Sequence, residues 1–140
     1  MGLAQRDEIG EILEQHQTLA VVGLSTNPTK DAHQVPRYAQ SAGYRVVPVN
    51  PFAEEILGEK AYPRLGDIPF PIDMVVIFRP SKEVPGVVDE ALQTEARAIW
   101  MQAGIRHEEA AQKARDAGLK VVQNRCIRTE LILRGARRAA

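Results

Sequence analysis

The sequence has little of what several classes of protein need. Its 140 residues include one cysteine, Cys126, so no disulfide can form within the chain, and this suits a reducing cytosol. No apolar run approaches the roughly 20 residues of a membrane span. The charged N-terminal stretch, residues 1–17, lacks the apolar core of a signal peptide. We therefore expect a cytoplasmic protein with no membrane partner.

The chain also lacks an excess of charge of either sign. Its 18 basic and 18 acidic side chains give a formal net charge of zero, whereas nucleic-acid binding rests largely on cations that neutralise phosphates. A basic tail with Arg134, Arg137 and Arg138 favours such binding. Because the net charge of the whole chain is zero, we nevertheless expect no nucleic-acid partner. A small anionic ligand needs only a local cluster of cations, which zero net charge allows.

Side-chain groups for metal binding or acid–base catalysis are also scarce. The single cysteine and the three histidines, His16, His33 and His107, form no pair at ligand spacing. His33 lies near a candidate binding loop, but no carboxylate at a suggestive spacing marks it as a general base. The sequence therefore predicts no metal site and no catalytic residue, and it favours a binding role over catalysis.

Apolar residues, by contrast, are plentiful and regularly arranged. They make up 44% of the chain, with 26% charged residues, which is enough for one hydrophobic core. Stretches with helical spacing alternate with short continuous apolar runs, which are typical of strands buried on both faces. The predicted strands are residues 19–23, 44–49, 73–78, 98–101 and 119–122. Pro36 is tolerated only in a first helical turn, so the helix after the first strand should begin near residues 31–33.

This alternation implies right-handed βαβ crossovers. The sequence thus predicts an α/β fold of three layers, with a parallel sheet of about five strands in an order near 3-2-1-4-5 and helices on both faces. We expect residues 1–140 to form one domain, with a core over residues 18–126 and a basic tail over residues 128–140 that suits a frayed helix. Residues 59–71, which contain three prolines, are predicted to form ordered turns.

In open α/β sheets, ligands bind at the carboxyl ends of the strands, where the strand order reverses. The loop after the first predicted strand begins with Gly23, carries the hydroxyl of Ser25 and reaches Lys30 at the start of a predicted helix. Free N–H groups at a helix N-terminus attract phosphate. Phosphate binding and a plain surface loop with a solvated lysine both fit this pattern.

Two features separate this edge from that of a dinucleotide enzyme. The loop is not Gly-x-Gly-x-x-Gly, and it contains Pro28. The second predicted strand is followed by Asn50, where an NAD enzyme usually has an acidic residue. Asn50 suits a hydrogen bond to adenine or ribose, and it equally suits capping of a turn. An NAD(P)-binding oxidoreductase is therefore a disfavoured alternative.

Residues after the later strands complete the predicted edge. Arg79 would face the same crevice as Lys30, and Phe78 before it suits either ligand contact or the core. The single tryptophan, Trp100, suits either the ligand groove or the core. Arg125 would lower the pKa of the neighbouring Cys126 thiol, although a small buried hydrophobe is the preferred interpretation of this cysteine.

Taken together, these segments resemble the small CoA-binding proteins, whose domain matches the nucleotide-binding half of the succinyl-CoA synthetase α subunit. The ordered motifs that carry the resemblance span residues 20–126. They are Val22-Gly23-Leu24-Ser25 with Pro28 and Lys30, residues 44–51, Tyr62-Pro63, Asp67-Ile68-Pro69, Phe78-Arg79, Trp100 with Gln102 and Gly104, Glu108-Glu109-Ala110, and Asn124-Arg125-Cys126.

The resemblance implies a Rossmann-like fold that holds coenzyme A where the strand order reverses. Lys30, Arg79 and Lys82 would balance the charge of its diphosphate and 3′-phosphate. The loop departs from the glycine-rich loop of the synthetase, and the chain is too short for the domain that carries the phosphorylated histidine. The contacts implied by the family are Gly23, Leu24, Ser25, Pro28, Lys30, Asn50, Pro51, Phe78, Arg79, Pro80, Trp100, Met101 and Gln102.

The sequence therefore predicts a module, carrier or sensor that binds coenzyme A or an acyl-CoA without catalysis of its own. A partner-dependent acyl-CoA ligase subunit is the second alternative. Whether the ligand is free or acylated stays open. A homodimer or an unidentified protein partner also stays open, with Phe70 and residues 131–133 as candidate apolar surface.

Overall fold

A computed structural model of the protein describes residues 7–135, so Arg137 and Arg138 of the basic tail lie outside the described part. Two short 3-10 helices, Leu65–Asp67 and Ser81–Glu83, accompany the main elements. In chain order the main elements are α1 (Glu8–Gln15), β1 (Thr18–Val22), α2 (Asp31–Ser41), β2 (Arg45–Val49), β3 (Glu55–Ile56), β4 (Glu59–Lys60), β5 (Met74–Ile77), α3 (Val84–Ala91), β6 (Ala98–Met101), α4 (Glu108–Asp116), β7 (Lys120–Val122) and α5 (Ile127–Leu133).

Five of these strands form a wholly parallel sheet in the order β2-β1-β5-β6-β7. The α/β class and the five-stranded parallel sheet are confirmed, and each predicted strand lies within one residue of the observed one. Residues 55–60 form a small antiparallel hairpin, β3-β4, which the prediction of turns did not include. None of the helices within residues 7–135 is long and apolar enough to cross a bilayer.

The strand order differs from the prediction in one respect. Counted in chain order, the sheet strands run 2-1-3-4-5, so the third strand lies beside the first instead of outside the second. The outer edge of β2 is already covered, because the N–H of Tyr62 donates to the carbonyl of Pro48 at 3.0 Å. Pro48 itself has no N–H to offer another strand, which suits an edge position. The order therefore reverses between β1 and β5.

The sheet is sandwiched between two helical layers. One face packs against α1, α2 and α5 through residues such as Leu13, Val35 and Leu131. The opposite face packs against α3 and α4 through residues such as Val88 and Ala111. Both faces are apolar because βαβ crossovers cover both sides of a parallel sheet.

The start of the predicted tail belongs to this packing. In α5, Ile127 and Leu131 are buried, whereas Ile132 and Leu133 are 55% and 73% exposed. Leu131 therefore faces the core, and the apolar surface available for a partner is smaller than residues 131–133 suggested. Phe70 is half-buried, and the guanidinium of Arg45 lies 3.9 Å from the centroid of its ring.

We expect Leu131→Ala to lower the free energy of unfolding by about 2–5 kcal/mol, because it opens a cavity beneath α5. Leu133→Ala is the matched control: its side chain is exposed, and we expect a change within about 0.5 kcal/mol. Urea denaturation followed by far-ultraviolet circular dichroism measures both. Equal effects of the two substitutions would show that α5 does not pack as described.

Asp73 joins the start of the third sheet strand, β5, to the start of β1. Its Oδ2 accepts hydrogen bonds from the backbone N–H groups of Gln17 at 2.8 Å and Thr18 at 2.9 Å. Burial raises the pKa of this carboxyl, but the two N–H donors and the charge of Arg97 outweigh burial and hold the pKa below its ordinary value of 3.8. The ionised carboxylate therefore stabilises the folded chain.

We expect Asp73→Ala to lower the free energy of unfolding at neutral pH by about 1–3 kcal/mol, because two N–H groups lose their acceptor. Since the pKa is depressed by folding, this stabilisation is complete above pH 3.8 and is lost as the pH falls through the lower, folded value. Urea denaturation of both proteins across the acid range measures the difference. A difference between them that grows on acidification would contradict this account.

Candidate functional site

A cavity of about 780 Å³ opens at the carboxyl ends of β1, β2 and β5, where the strand order reverses. Such a crevice is the usual ligand position in open α/β sheets. Its walls come from the loop after β1, the turn after β2, residues 63–65, and the segment from the end of β5 into α3. The predicted site residues that line it are Gly23, Ser25, Lys30, Asn50, Pro51, Phe78 and Arg79.

Gly23 allows the three strand ends to approach one another. Its N–H donates to the carbonyl of Val49 at 3.1 Å, and its φ is +90°. A Cβ atom at this position would lie 2.7 Å from the carbonyl oxygen of Phe78, closer than any real side chain approaches. Glycine is therefore required by the backbone angle and by the packing against β5.

The loop from Gly23 to Lys30 is held by its own polar groups. The Oγ of Ser25 accepts from the N–H of Asn27 at 3.0 Å. The Oδ1 of Asn27 accepts from the N–H of Thr29 at 3.0 Å and from its hydroxyl at 2.7 Å. These bonds shape the loop so that Lys30 stands at the N-terminus of α2.

A proline fixes the loop to the helix. Pro36 is the sixth residue of α2 and not in its first turn, contrary to the prediction, although α2 does begin at Asp31 as expected. A proline has no N–H, so the carbonyl of Ala32, four residues earlier, loses its partner within the helix. The N–H of Ser25 donates to that carbonyl at 3.0 Å. The loop therefore satisfies the acceptor that Pro36 leaves open.

Asn50 serves the turn after β2. Its Nδ2 donates to the carbonyl of Leu24 at 3.0 Å, and its Oδ1 accepts from the N–H of Phe52 at 2.8 Å. Both ends of the amide are thus used by the protein, as the turn-capping interpretation expected. A primary amide carries a second N–H and a second oxygen lone pair, so Asn50 keeps hydrogen-bonding capacity towards the cavity.

Positive charge is in excess around the cavity. Of the described residues that line it, four are cationic and two are acidic. Arg79 is paired: its Nη2 and Nε donate to Oε1 of Glu83 at 2.7 and 3.2 Å. Within residues 7–135, no carboxylate lies within ion-pair distance of Lys30 or Lys82. The cavity is therefore suited to an anionic ligand.

The other predicted site residues lie outside the cavity lining. Leu24 is buried, and Pro28 and Pro80 are exposed away from it. At the end of β6, Trp100, Met101 and Gln102 are buried. The indole N–H of Trp100 donates to the carbonyl of Arg125 at 2.8 Å, and Oε1 of Gln102 accepts from the N–H of Ile127 at 2.8 Å. Trp100 and Gln102 therefore support the start of α5, whereas Met101 packs on the opposite face of the sheet.

Several lining residues were not assigned from the sequence, among them Phe52, Arg64, Glu83 and Glu90. Phe52 directly follows Asn50 and Pro51, which are predicted site residues, so its position in the chain could have indicated that it lines the cavity. Arg64 lies beside the cavity because Tyr62, two residues earlier, pairs with Val49 of β2. No local sequence pattern predicts this pairing.

Cys126 precedes α5 and is half-buried, outside the cavity lining. Burial raises the pKa of its thiol, but hydrogen bonds from the backbone and hydroxyl of Thr129 and from Gln102 outweigh burial, so the pKa is lowered. Arg125, the cause suggested by the sequence, instead lies 3.8 Å from a carboxylate oxygen of Glu130.

The histidines have structural partners. Nδ1 of His33 lies 2.7 Å from the carbonyl oxygen of Ser25, and Nδ1 of His107 accepts from the N–H of Ala110 at the start of α4. Residues 7–135 contain no group of three or more His, Cys, Asp or Glu side chains placed to hold a metal ion.

Comparison with known proteins shows the family to which this chain is related. The family model described as a CoA binding domain matches residues 17–132. An uncharacterized protein of Bacillus subtilis strain 168, YneT, is 45% identical over 121 residues, which cover 86% of this chain and 90% of that protein. The fold is also similar to the solved structure of Prb, a PH1109 protein redesigned for binding, with a TM-score of 0.90 and 37% sequence identity. The match covers 98% of this chain and 96% of the Prb chain.

A larger enzyme also shares this domain. The ADP-forming acetate–CoA ligase II of Archaeoglobus fulgidus is 34% identical over 95 residues. The matched part is 66% of this chain but only 14% of the ligase, so most of that enzyme has no counterpart here. The resemblance inferred from the ordered motifs is confirmed.

We expect Gly23→Ala to destabilise the protein more than Gly58→Ala. Both glycines have positive φ, but an added Cβ at Gly58 meets no atom within 4 Å. Gly58→Ala should therefore cost only the backbone strain of about 1–2 kcal/mol, and Gly23→Ala should add the clash with Phe78. Urea denaturation of the two variants tests this, and equal losses would contradict the close approach of β1 and β5.

Proposed function

The chain belongs to the family of CoA-binding domains, and on that premise we propose that it binds coenzyme A, free or acylated, in the cavity at the β1–β5 reversal. The observation that carries the proposal is the pair of lysines, Lys30 and Lys82, which line this cavity without a carboxylate partner among the described residues. We further propose that the chain acts in the cytoplasm as a CoA-binding module, carrier or sensor.

The chemistry of the ligand fits the distribution of charge. Coenzyme A carries a diphosphate and a 3′-phosphate, and these need cations and N–H donors. Lys30 stands at the N-terminus of α2, where the first backbone N–H groups of a helix have no partner within it. The cavity volume, about 780 Å³, lies within the usual range for sites of small molecules and cofactors.

The neutral Asn50 separates this proposal from an NAD-binding one. Its amide bonds to the carbonyl of Leu24 and the N–H of Phe52. Residues 50–53, which directly follow β2, contain no carboxylate to hold the two free ribose hydroxyls of NAD. The third phosphate of coenzyme A is attached to its ribose, so an acidic residue at this position would repel it. A neutral amide is compatible with that ligand.

A CoA-binding subunit that works with a ligase partner is the second candidate, favoured by the match to one part of the Archaeoglobus enzyme. The two candidates share the binding step and differ in what the bound ligand meets next. The chain alone is expected to form no acetyl-CoA from acetate, ATP and coenzyme A. Turnover by the purified chain would exclude a purely binding role.

Calorimetric titration with coenzyme A tests the binding proposal. We expect saturable binding that weakens with salt, and Lys30→Ala and Lys82→Ala should each weaken it by about threefold to tenfold, as for partly solvated charge contacts. Lys113→Ala is the control, because that lysine, on α4, pairs with Asp89 of α3, and neither residue lines the cavity.

Thermal melting compares ligand classes in parallel. A ligand present at about 100 times its Kd stabilises the protein by about 2.7 kcal/mol, so coenzyme A should raise the midpoint whereas NAD and NADP should not. A shift with NAD and none with coenzyme A would replace the proposal with the dinucleotide alternative.

A further inference from the structure

We propose that Phe52 and Arg64 form an adenosine subsite at the β2 end of the cavity, where Phe52 stacks on the adenine and Arg64 pairs with the phosphate on the ribose. This subsite would fix the direction in which coenzyme A lies. The inference rests on the proposed function, since it requires a ligand of this kind in the cavity.

Phe52 is an unusual side chain for a surface turn. It is 96% exposed, and of the large exposed apolar residues in the described part of the chain, Phe52, Ile132 and Leu133, only Phe52 lines the cavity. Its backbone is not loose, because its N–H is held by Oδ1 of Asn50, whose Nδ2 is bonded to the carbonyl of Leu24. A solvated aromatic ring on a fixed backbone is a platform for a planar base.

Residues 63–65 line the β2 end of the cavity across from Phe52. Val49 and Tyr62 form a parallel bridge, and the N–H of Asn50 donates to the carbonyl of Tyr62 at 2.9 Å. Because the two segments run in the same direction, both leave the bridge at the same end of the sheet. The turn with Phe52 and the segment with Arg64 therefore flank one end of the cavity, which both residues line.

Arg64 is available for a phosphate. Its side chain is 75% exposed, and its carboxylate partner, Asp67, is 3.8 Å from its Nε, too far for a hydrogen bond. Guanidinium groups bind phosphate with two parallel N–H donors. In doubly wound folds that bind NADP, an arginine near the end of the second strand takes the place of the acidic residue and accommodates the 2′-phosphate of the ribose. The 3′-phosphate of coenzyme A places a similar charge on the same ring. In this chain, the neutral Asn50 stands where that acidic residue would be.

The remaining walls then determine where the rest of the ligand lies. The diphosphate would lie beside Lys30 and the N-terminus of α2, in the middle of the cavity. The pantetheine arm would extend towards α3, where Gly86 has no side chain and Val87 offers apolar surface. The thiol, or the acyl group attached to it, would therefore emerge on the α3 side.

Dissection of the ligand tests this direction. Calorimetry measures the binding of coenzyme A, dephospho-CoA and 4′-phosphopantetheine to the wild type, Phe52→Ala and Arg64→Gln. The control is Leu133→Ala, which removes an exposed apolar side chain that does not line the cavity. Phe52→Ala should weaken coenzyme A and dephospho-CoA by about fivefold to 100-fold and leave 4′-phosphopantetheine within about twofold. Arg64→Gln should weaken coenzyme A by about threefold to tenfold and leave dephospho-CoA unchanged.

The outcomes separate this inference from the proposed function. If the wild type binds coenzyme A and Phe52→Ala binds it equally well, the subsite is excluded while the CoA-binding function stands. If Phe52→Ala weakens 4′-phosphopantetheine as strongly as coenzyme A, the ligand lies in the opposite direction. If the wild type binds none of the three ligands, the proposed function itself fails, and the subsite with it. Unchanged melting temperatures of the variants show that they are folded.

Discussion

The close approach of three strand ends at Gly23 is the constraint on which the rest of this structure depends. The N–H of Gly23 bonds to the end of β2, and its missing Cβ leaves room for the carbonyl of Phe78 at the end of β5. Only where these backbones meet can the loop after β1, the turn after β2 and the segment after β5 share one cavity. This contact therefore brings together the cations that follow β1 and β5, namely Lys30, Arg79 and Lys82.

A second group of contacts makes the edge rigid without filling it. Pro36 removes an N–H from α2, and the N–H of Ser25 takes the carbonyl of Ala32 that is left over. Asn50 holds the turn after β2 with both ends of its amide. These local bonds fix the backbone around the cavity, whereas Lys30 and Lys82 line it without a carboxylate partner among the described residues. Preformed sites of this kind lose little conformational entropy when they bind.

The sequence predicts the strands well, because a strand buried on both faces needs a continuous apolar run whatever its neighbours are. It predicts the strand order less well. The place of β5 beside β1 depends on Tyr62 covering the outer edge of β2, a contact that no pattern of periodicity contains. Likewise, the family resemblance implies ligand contacts at the end of β6, whereas Trp100 and Gln102 are buried and bond to the segment that begins α5.

By itself, the sequence determined the fold class, the bounds of the strands and the family, because these follow from local spacing and from an ordered set of motifs. It also identified Gly23, Lys30, Asn50 and Arg79 as residues of one edge. Only the tertiary structure decided which strand ends share the cavity, because that depends on contacts between segments distant in the chain. Phe52 and Arg64 lie 12 residues apart in sequence, and it is the bridge between Val49 and Tyr62 that brings them to the same end of the site.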